Sequence, residues 1–121
     1  MRILLVEDER RLANVVKTGL EEEGFAVDVA YDGEEGQYLA ESESYDLIIL
    51  DIMIPKIDGL EVLKRLKADS STKDIAVVIL SNLGQDELIK QALQTGAKAY
   101  IVKSLYTPAQ VVAEVRSILG V

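Results

Sequence analysis

Four apolar runs in this chain end on side chains able to handle a phosphoryl group. Ile3-Leu4-Leu5-Val6 leads into Glu7-Asp8, and Leu47-Ile48-Ile49-Leu50 leads into Asp51. The run from Ile75 to Leu80 ends at Ser81, and Tyr100-Ile101-Val102 ends at Lys103. Three carboxylates brought together repel one another, so one must be protonated or a cation must lie among them. An all-oxygen set of this kind suits Mg2+ or Mn2+, which keep several waters and bridge to phosphate. Such an ion would offset charge on a transferring phosphoryl group and allow an anionic carboxylate to attack it. Ser81 adds a hydroxyl donor, and Lys103 a compact positive charge for a phosphoryl oxygen. Taken singly, each residue has a plainer reading. Glu7-Asp8 suits a polar turn at the positive end of the next helix, Asp51 suits a turn cap, and Ser81 and Lys103 suit an ordinary surface. Their convergence favours chemistry.

The elements that must position them alternate five times between strand and helix. Short leucine-rich and β-branched runs read as strands buried on both faces, as in a parallel sheet covered by helices. Strands are expected at Arg2 to Val6, Phe25 to Ala30, Asp46 to Leu50, Ile75 to Leu80 and Lys98 to Val102. The first helix, Glu9 to about Glu23, carries Leu12, Val16 and Leu20 at helical spacing and stops at Gly24. Asp32 to Glu43 reads as a weaker helix supported by Tyr38 and Leu39. Leu60, Leu63 and Leu66 mark the third helix, after a loop bracketed by Pro55 and Gly59. Asp86 to Thr95 forms the fourth, closed by Gly96. Thr107-Pro108 starts the fifth, with Val111, Val115 and Ile118 as its buried stripe. Strands alternating with helices over short connections give a doubly wound α/β sheet. Ligands in such sheets bind outside the carboxyl ends of the strands, where all four polar groups fall.

Composition bounds the rest. At 121 residues the chain fits one domain spanning residues 1–121, and 49% hydrophobic residues suffice for a core. A net charge of −8 would repel a phosphate backbone, so no nucleic-acid partner is expected for this chain. Cysteine and histidine are both absent, which removes disulfides, thiol chemistry, phosphohistidine and histidine metal ligands. No segment approaches the roughly eighteen apolar residues of a membrane span, and no signal-peptide pattern opens the chain. A soluble, cytoplasmic protein with no membrane partner is the expectation.

The motifs VEDE (Glu7, Asp8), LIILDIMIPKIDGLEVL (Asp51), VVILSN (Ser81) and AYIVKS (Tyr100, Lys103) resemble those of the receiver domain of two-component response regulators. The resemblance runs from Met1 to about Leu119. It implies a five-stranded parallel sheet in the flavodoxin-like order 2-1-3-4-5 with five flanking helices. It further implies that Asp51 accepts phosphate from a sensor histidine kinase or histidine phosphotransfer protein. Glu7 and Asp8 would be the acidic metal-site residues, with the Met53 backbone carbonyl completing the shell around Mg2+ or Mn2+. Ser81 and Lys103 would bind the phosphoryl oxygens. Ser81 and Tyr100 would switch the surface of the fourth helix, fifth strand and fifth helix for a downstream partner. A domain of this kind signals rather than turns over a substrate, promoting its own phosphorylation and dephosphorylation, and a monomer is compatible with it. Asp58 is read as ordering the turn before the third helix.

Three positions depart from the family pattern. Ser104 follows Lys103 where proline is usual, and without proline a cis bond costs about 3–4 kcal/mol, so a trans peptide is expected. Asn82 stands where a smaller residue is commoner, and Lys98 stands where the winged-helix class has an acid. Rival readings fare worse. An aspartate-nucleophile phosphatase needs a second aspartate where this chain has Met53. A flavin or nucleotide binder needs a phosphate loop after the first strand, where Glu7-Asp8-Glu9 would repel the ligand. An adaptor that works without phosphorylation has no use for the full set of Glu7, Asp8, Asp51, Ser81 and Lys103.

Overall fold

Strands that are apolar on both faces must be covered on both faces, and the backbone satisfies this with a single sheet between two helical layers. The computed structural model describes residues 1–121. Its strands are β1 (Arg2–Val6), β2 (Ala26–Ala30), β3 (Leu47–Leu50), β4 (Ala76–Ser81) and β5 (Ala99–Val102). They lie in the order β2-β1-β3-β4-β5, every neighbouring pair parallel. The helices α1 (Arg10–Glu22), α2 (Gly33–Ser42), α3 (Gly59–Ala68), α4 (Asp86–Thr95) and α5 (Pro108–Leu119) make the crossovers. Fold class and strand order are those expected.

Alternation along the central strands divides the core in two. Ile3, Leu5, Ile49, Val78, Leu80 and Ile101 face α1 and α5, meeting Val16, Leu20, Val111 and Val115. Leu4, Val6, Ile48, Leu50, Val77 and Ile79 face the other way, against Val62, Leu63 and Leu66 of α3 and Ala92 of α4. Each large side chain taken fully out of water contributes about 1.5–3 kcal/mol. Register then fixes the functional edge. Val6 lies opposite Leu50, so Glu7 and Asp51 emerge side by side. Ser81 lies opposite Val102, the residue before Lys103.

Several expectations need adjustment. Tyr38 does not anchor α2, for it is 68% exposed. The helix instead packs through Gly33, Gly36 and Ala40, and Tyr38, two residues or about 200° round from Gly36, points away from that face. A Cβ on Gly36 would come within 2.9 Å of the Val6 methyls. β2 starts at Ala26 rather than Phe25, and β4 extends to include Ser81. A 3-10 turn over Lys103–Leu105, which no periodicity announces, leads from β5 towards α5. No helix is long and apolar enough to cross a membrane.

The start of α5 is as its sequence suggests. Thr107 accepts a hydrogen bond from the Gln110 N–H at 3.1 Å, and the Gln110 side chain accepts from the Thr107 N–H at 2.8 Å. This reciprocal cap satisfies two backbone donors otherwise left open. Thr107→Ala should therefore cost about 1 kcal/mol in urea unfolding. An unchanged midpoint would show that the cap is dispensable.

Candidate functional site

Sheet hydrogen bonding carries the two inner carboxylates into place. The Glu7 N–H donates to Ala30 O at 3.0 Å, and the Asp51 N–H donates to Val6 O at 3.0 Å. Both residues thus continue the ladder one step beyond their strands and are buried, whereas Asp8, one residue further along, is exposed. One carboxylate oxygen from each of Glu7, Asp8 and Asp51 lies within 4.8 Å of the others. The convergence expected from the sequence is present in the structure.

Lys103 reaches into this group from the end of β5. Its Nζ lies 2.6 Å from Glu7 Oε1 and 2.8 Å from Asp51 Oδ2, with the lysine side chain 11% exposed. The contact to Asp51 is a hydrogen bond. Glu7 Oε1 has charge beside it but no well-aligned donor, while its Oε2 accepts from the Glu9 N–H at 3.0 Å. The ammonium therefore stands where the sequence demanded a cation among carboxylates.

Burial and charge pull the pair in opposite senses. Burial raises the Glu7 carboxyl, and the nearby Asp51 charge adds to this; the Lys103 and Glu9 contacts oppose it, and the outcome is a group pushed up to about 7. For Lys103 burial acts downward, but the hydrogen bonds to Asp51 and Glu7 outweigh it and hold the ammonium charged. Glu7 therefore shares a proton near neutrality. Asp51 remains the firmer partner of the lysine because its contact is a true hydrogen bond.

The loop between β3 and α3 sets the second oxygen of Asp51. The Met53 N–H donates to Asp51 Oδ1 at 3.2 Å, and Met53 itself is 63% exposed. Gly59 closes the loop by donating to Ile52 O at 2.9 Å. A Cβ there would fall 2.1 Å from Asp51 O, so only glycine lets α3 start against the backbone of Asp51. Asp58 caps α3, accepting from the Glu61 N–H at 3.0 Å, which is the turn-ordering role read from the sequence.

Ser81 is completely buried, and its Oγ accepts from the Leu83 N–H at 3.2 Å. Tyr100 is half-buried and directs its hydroxyl to the Leu83 carbonyl. Burial raises the Tyr100 phenol, opposed by the Ser81 hydroxyl and aided by the Asp51 charge. The Lys103–Ser104 peptide is trans, as is every peptide bond in the chain. Sequence reasoning missed Leu83 altogether, because it contributes only backbone atoms. Gly59 was legible as a loop boundary but not as a neighbour of Asp51.

These donors fit a hard divalent cation: three carboxylate oxygens, one of them buried without an aligned donor, at the exposed edge of the sheet. Two measurements follow. Because the folded protein holds a proton on Glu7 that the unfolded chain releases, chelator-treated protein should lose stability as pH rises from about 4.5 through 7. The loss should be about 3 kcal/mol at most, and Glu7→Gln should flatten it; parallel wild-type and variant profiles would refute the assignment. Lys103→Met removes the ammonium that competes for the same carboxylates, so Mg2+ should bind it roughly tenfold more tightly, a gain of about 1.4 kcal/mol. Calorimetric titration showing equal or weaker binding would mean that lysine and metal do not compete.

A family model described as the response regulator receiver domain matches residues 3–116. The chain is 40% identical over 119 residues to the transcriptional regulatory protein CusR of Escherichia coli K12, covering 98% of this chain and 51% of that protein. It is also 40% identical over 118 residues to the DNA-binding dual master transcriptional regulator RpaA of Synechocystis, covering 98% and 48%. It superposes with a TM-score of 0.88 and 33% identity on a chain of the CheX-CheY-BeF3-Mg+2 complex from Borrelia burgdorferi, covering 98% and 89%. The chain thus spans about half the length of the curated relatives it matches. One expectation is corrected by these relatives. Charge alone led to the exclusion of nucleic acid as a partner, yet RpaA is named as DNA-binding. A net charge of −8 repels phosphate only from the surface that carries it and does not govern a polypeptide of twice the length. With the family model covering most of the chain and the sheet order and acidic edge as described, the chain belongs to the response regulator receiver domains, the signalling domains of two-component phosphorelay systems.

Proposed function

We propose that Asp51 accepts a phosphoryl group from the phosphohistidine of a sensor kinase or phosphotransfer protein. The observation that carries this reading is the Asp51 carboxylate, fixed between the Met53 N–H and the Lys103 ammonium at the edge where Glu7 and Asp8 converge. Glu7, Asp8, Asp51 and the Met53 carbonyl would hold Mg2+. When bound, that ion offsets charge on the phosphoryl oxygens and keeps the carboxylates anionic. An Asp51 oxygen attacks phosphorus, the phosphorus–nitrogen bond to histidine breaks, and its electron pair returns to the imidazole. Lys103 passes from the carboxylate to a phosphoryl oxygen, and the Ser81 hydroxyl donates to another. The same groups position water for later hydrolysis of the acyl phosphate, so the domain promotes both its own phosphorylation and dephosphorylation while remaining a signalling module. The cytoplasm, where such kinases present their phosphohistidine, is the compartment this reading assigns.

Phosphate at Asp51 would draw Ser81 towards it and release its hold on Leu83, biasing the packing of Tyr100 and the surface of α4, β5 and α5. The test is one experiment with two readouts. Acyl phosphate with Mg2+ should add one phosphoryl group per chain, as seen by mass spectrometry, and Asp51→Asn should gain none. Amide shifts in the phosphorylated protein should extend from Leu88 to Val111. Robust labelling of the Asn variant would dismiss Asp51 as the acceptor. Shifts confined to the loops around residue 51 would dismiss the output surface.

A further inference from the structure

We infer that Gly33, the first residue of α2, is a positioning residue for this chemistry, because it lets the loop carrying Met53 close against the helix. The inference rests on the proposed role of Asp51. Gly33 lies far from Asp51 in sequence and contributes no side chain. Its N–H donates to Pro55 O at 3.1 Å. A Cβ at this position would lie 1.9 Å from Ile57 O and 2.8 Å from Ile57 C. Those are backbone atoms, so no rotamer change could make room, and either the loop or the helix start would have to move.

The loop so held is under local constraint. Lys56 has φ +71°, the left-handed region that side-chain-bearing residues rarely occupy. Such a conformation persists only where the surroundings impose it. Here the imposing contacts are the Gly33 hydrogen bond to Pro55, the Ile57 N–H to Pro55 O bond at 2.9 Å, and the packing of Ile57 against the core. The ion pair of Lys56 with Asp32, at 3.6 Å and with the lysine side chain largely in solvent, adds little. Upstream in the same loop, Met53 holds Asp51 Oδ1 through its N–H. The start of α2 therefore acts on the acceptor through Pro55 to Ile57 and Met53. Shifting the loop would misplace both the Met53 hydrogen bond and the carbonyl proposed for the metal.

Gly36, one turn along the same helix, provides the control. A Cβ there meets only the side-chain methyls of Val6, at 2.9 Å, so Gly36→Ala strains the packing of α2 on β1 without touching the loop. Gly33→Ala should weaken Mg2+ binding by roughly tenfold or more, the usual effect of disturbing the support of a metal site. Phosphorylation by acyl phosphate should slow in step. Ile57→Ala leaves Gly33 in place but frees the loop from its apolar anchor, and should weaken Mg2+ binding in the same direction should Gly33→Ala fail to fold. Binding would be followed by Mg2+ titration of the Met53 and Lys56 amide shifts, with thermal melts recording stability. A Gly36→Ala variant that is less stable but binds Mg2+ like wild type, beside weakened Gly33→Ala or Ile57→Ala, is the supporting result. If the folded variants at 33 and 57 bind as tightly as wild type, or no more weakly than Gly36→Ala, the inference is overturned while the role of Asp51 stands. If wild type itself takes up neither Mg2+ nor phosphate, the reading of Asp51 falls first and this inference with it.

Discussion

Two carboxylates buried side by side at the end of a sheet need positive charge next to them, and most of the local architecture serves that need. The pairing of β1 with β3 makes Glu7 and Asp51 neighbours whatever their side chains are, since register places them one step beyond Val6 and Leu50. Burying two acids in that position is costly unless they are paired or protonated. Lys103 comes from β5, with β4 lying between it and β3. A long, flexible side chain bridges that distance; a short one could not. The result is an ion pair that offsets part of the cost of burying the acids while leaving Glu7 Oε1 poorly satisfied.

Such a compromise has consequences for function. A fully satisfied network would resist a metal and a phosphoryl group, because each newcomer would have to displace an equally good partner. Here the lysine is shared between two acids, and burial holds one of those acids close to protonation at neutral pH. Incoming charge can therefore reorganise the group by moving one side chain and one proton. The backbone around it does not share this looseness: Gly59 and Asp51 pack so closely that no Cβ fits between them. On the proposed reading, rigid backbone fixes where the acceptor stands and mobile charge decides what it binds.

The sequence made the sheet and its reactive edge legible for a physical reason. Apolar runs long enough only for strands, broken at Glu7, Asp51, Ser81 and Lys103, leave few ways to bury themselves other than a covered parallel sheet. Helix ends were legible where a specific chemistry marks them, as at Thr107-Pro108 and Gly96. What stayed hidden has causes equally specific. Tyr38 has the residue type of an anchor for α2, but the face of that helix that meets the sheet is made of Gly33, Gly36 and Ala40, small residues that carry no apolar signal, and Tyr38 lies on the opposite side. The turn at Lys103–Leu105 has no hydrophobic period to reveal it, being held between β5 and the cap of α5. Backbone participants such as the Leu83 amide and carbonyl leave no mark in residue type at all. Net charge, by contrast, was read correctly and applied too widely, as the DNA-binding relative shows.

Leu83 is also where the acidic edge meets the surface of α4, β5 and α5 proposed for output. Ser81 Oγ holds its N–H, and the Tyr100 hydroxyl holds its carbonyl, so two side chains from adjacent strands grip one residue of the β4–α4 loop. Leu83, Tyr100 and Leu88 of α4 all pack, partly buried, against the same core layer. If Ser81 moves inward to donate its hydroxyl to a phosphoryl group, the contact its oxygen accepts from the Leu83 N–H lengthens, and the loop depends more on its bond to Tyr100. The tyrosine must then either follow the loop or lose the partner of its half-buried hydroxyl. Coupling of this kind needs no change in the sheet. It follows from one residue having both of its backbone groups satisfied by side chains that the proposed chemistry treats differently.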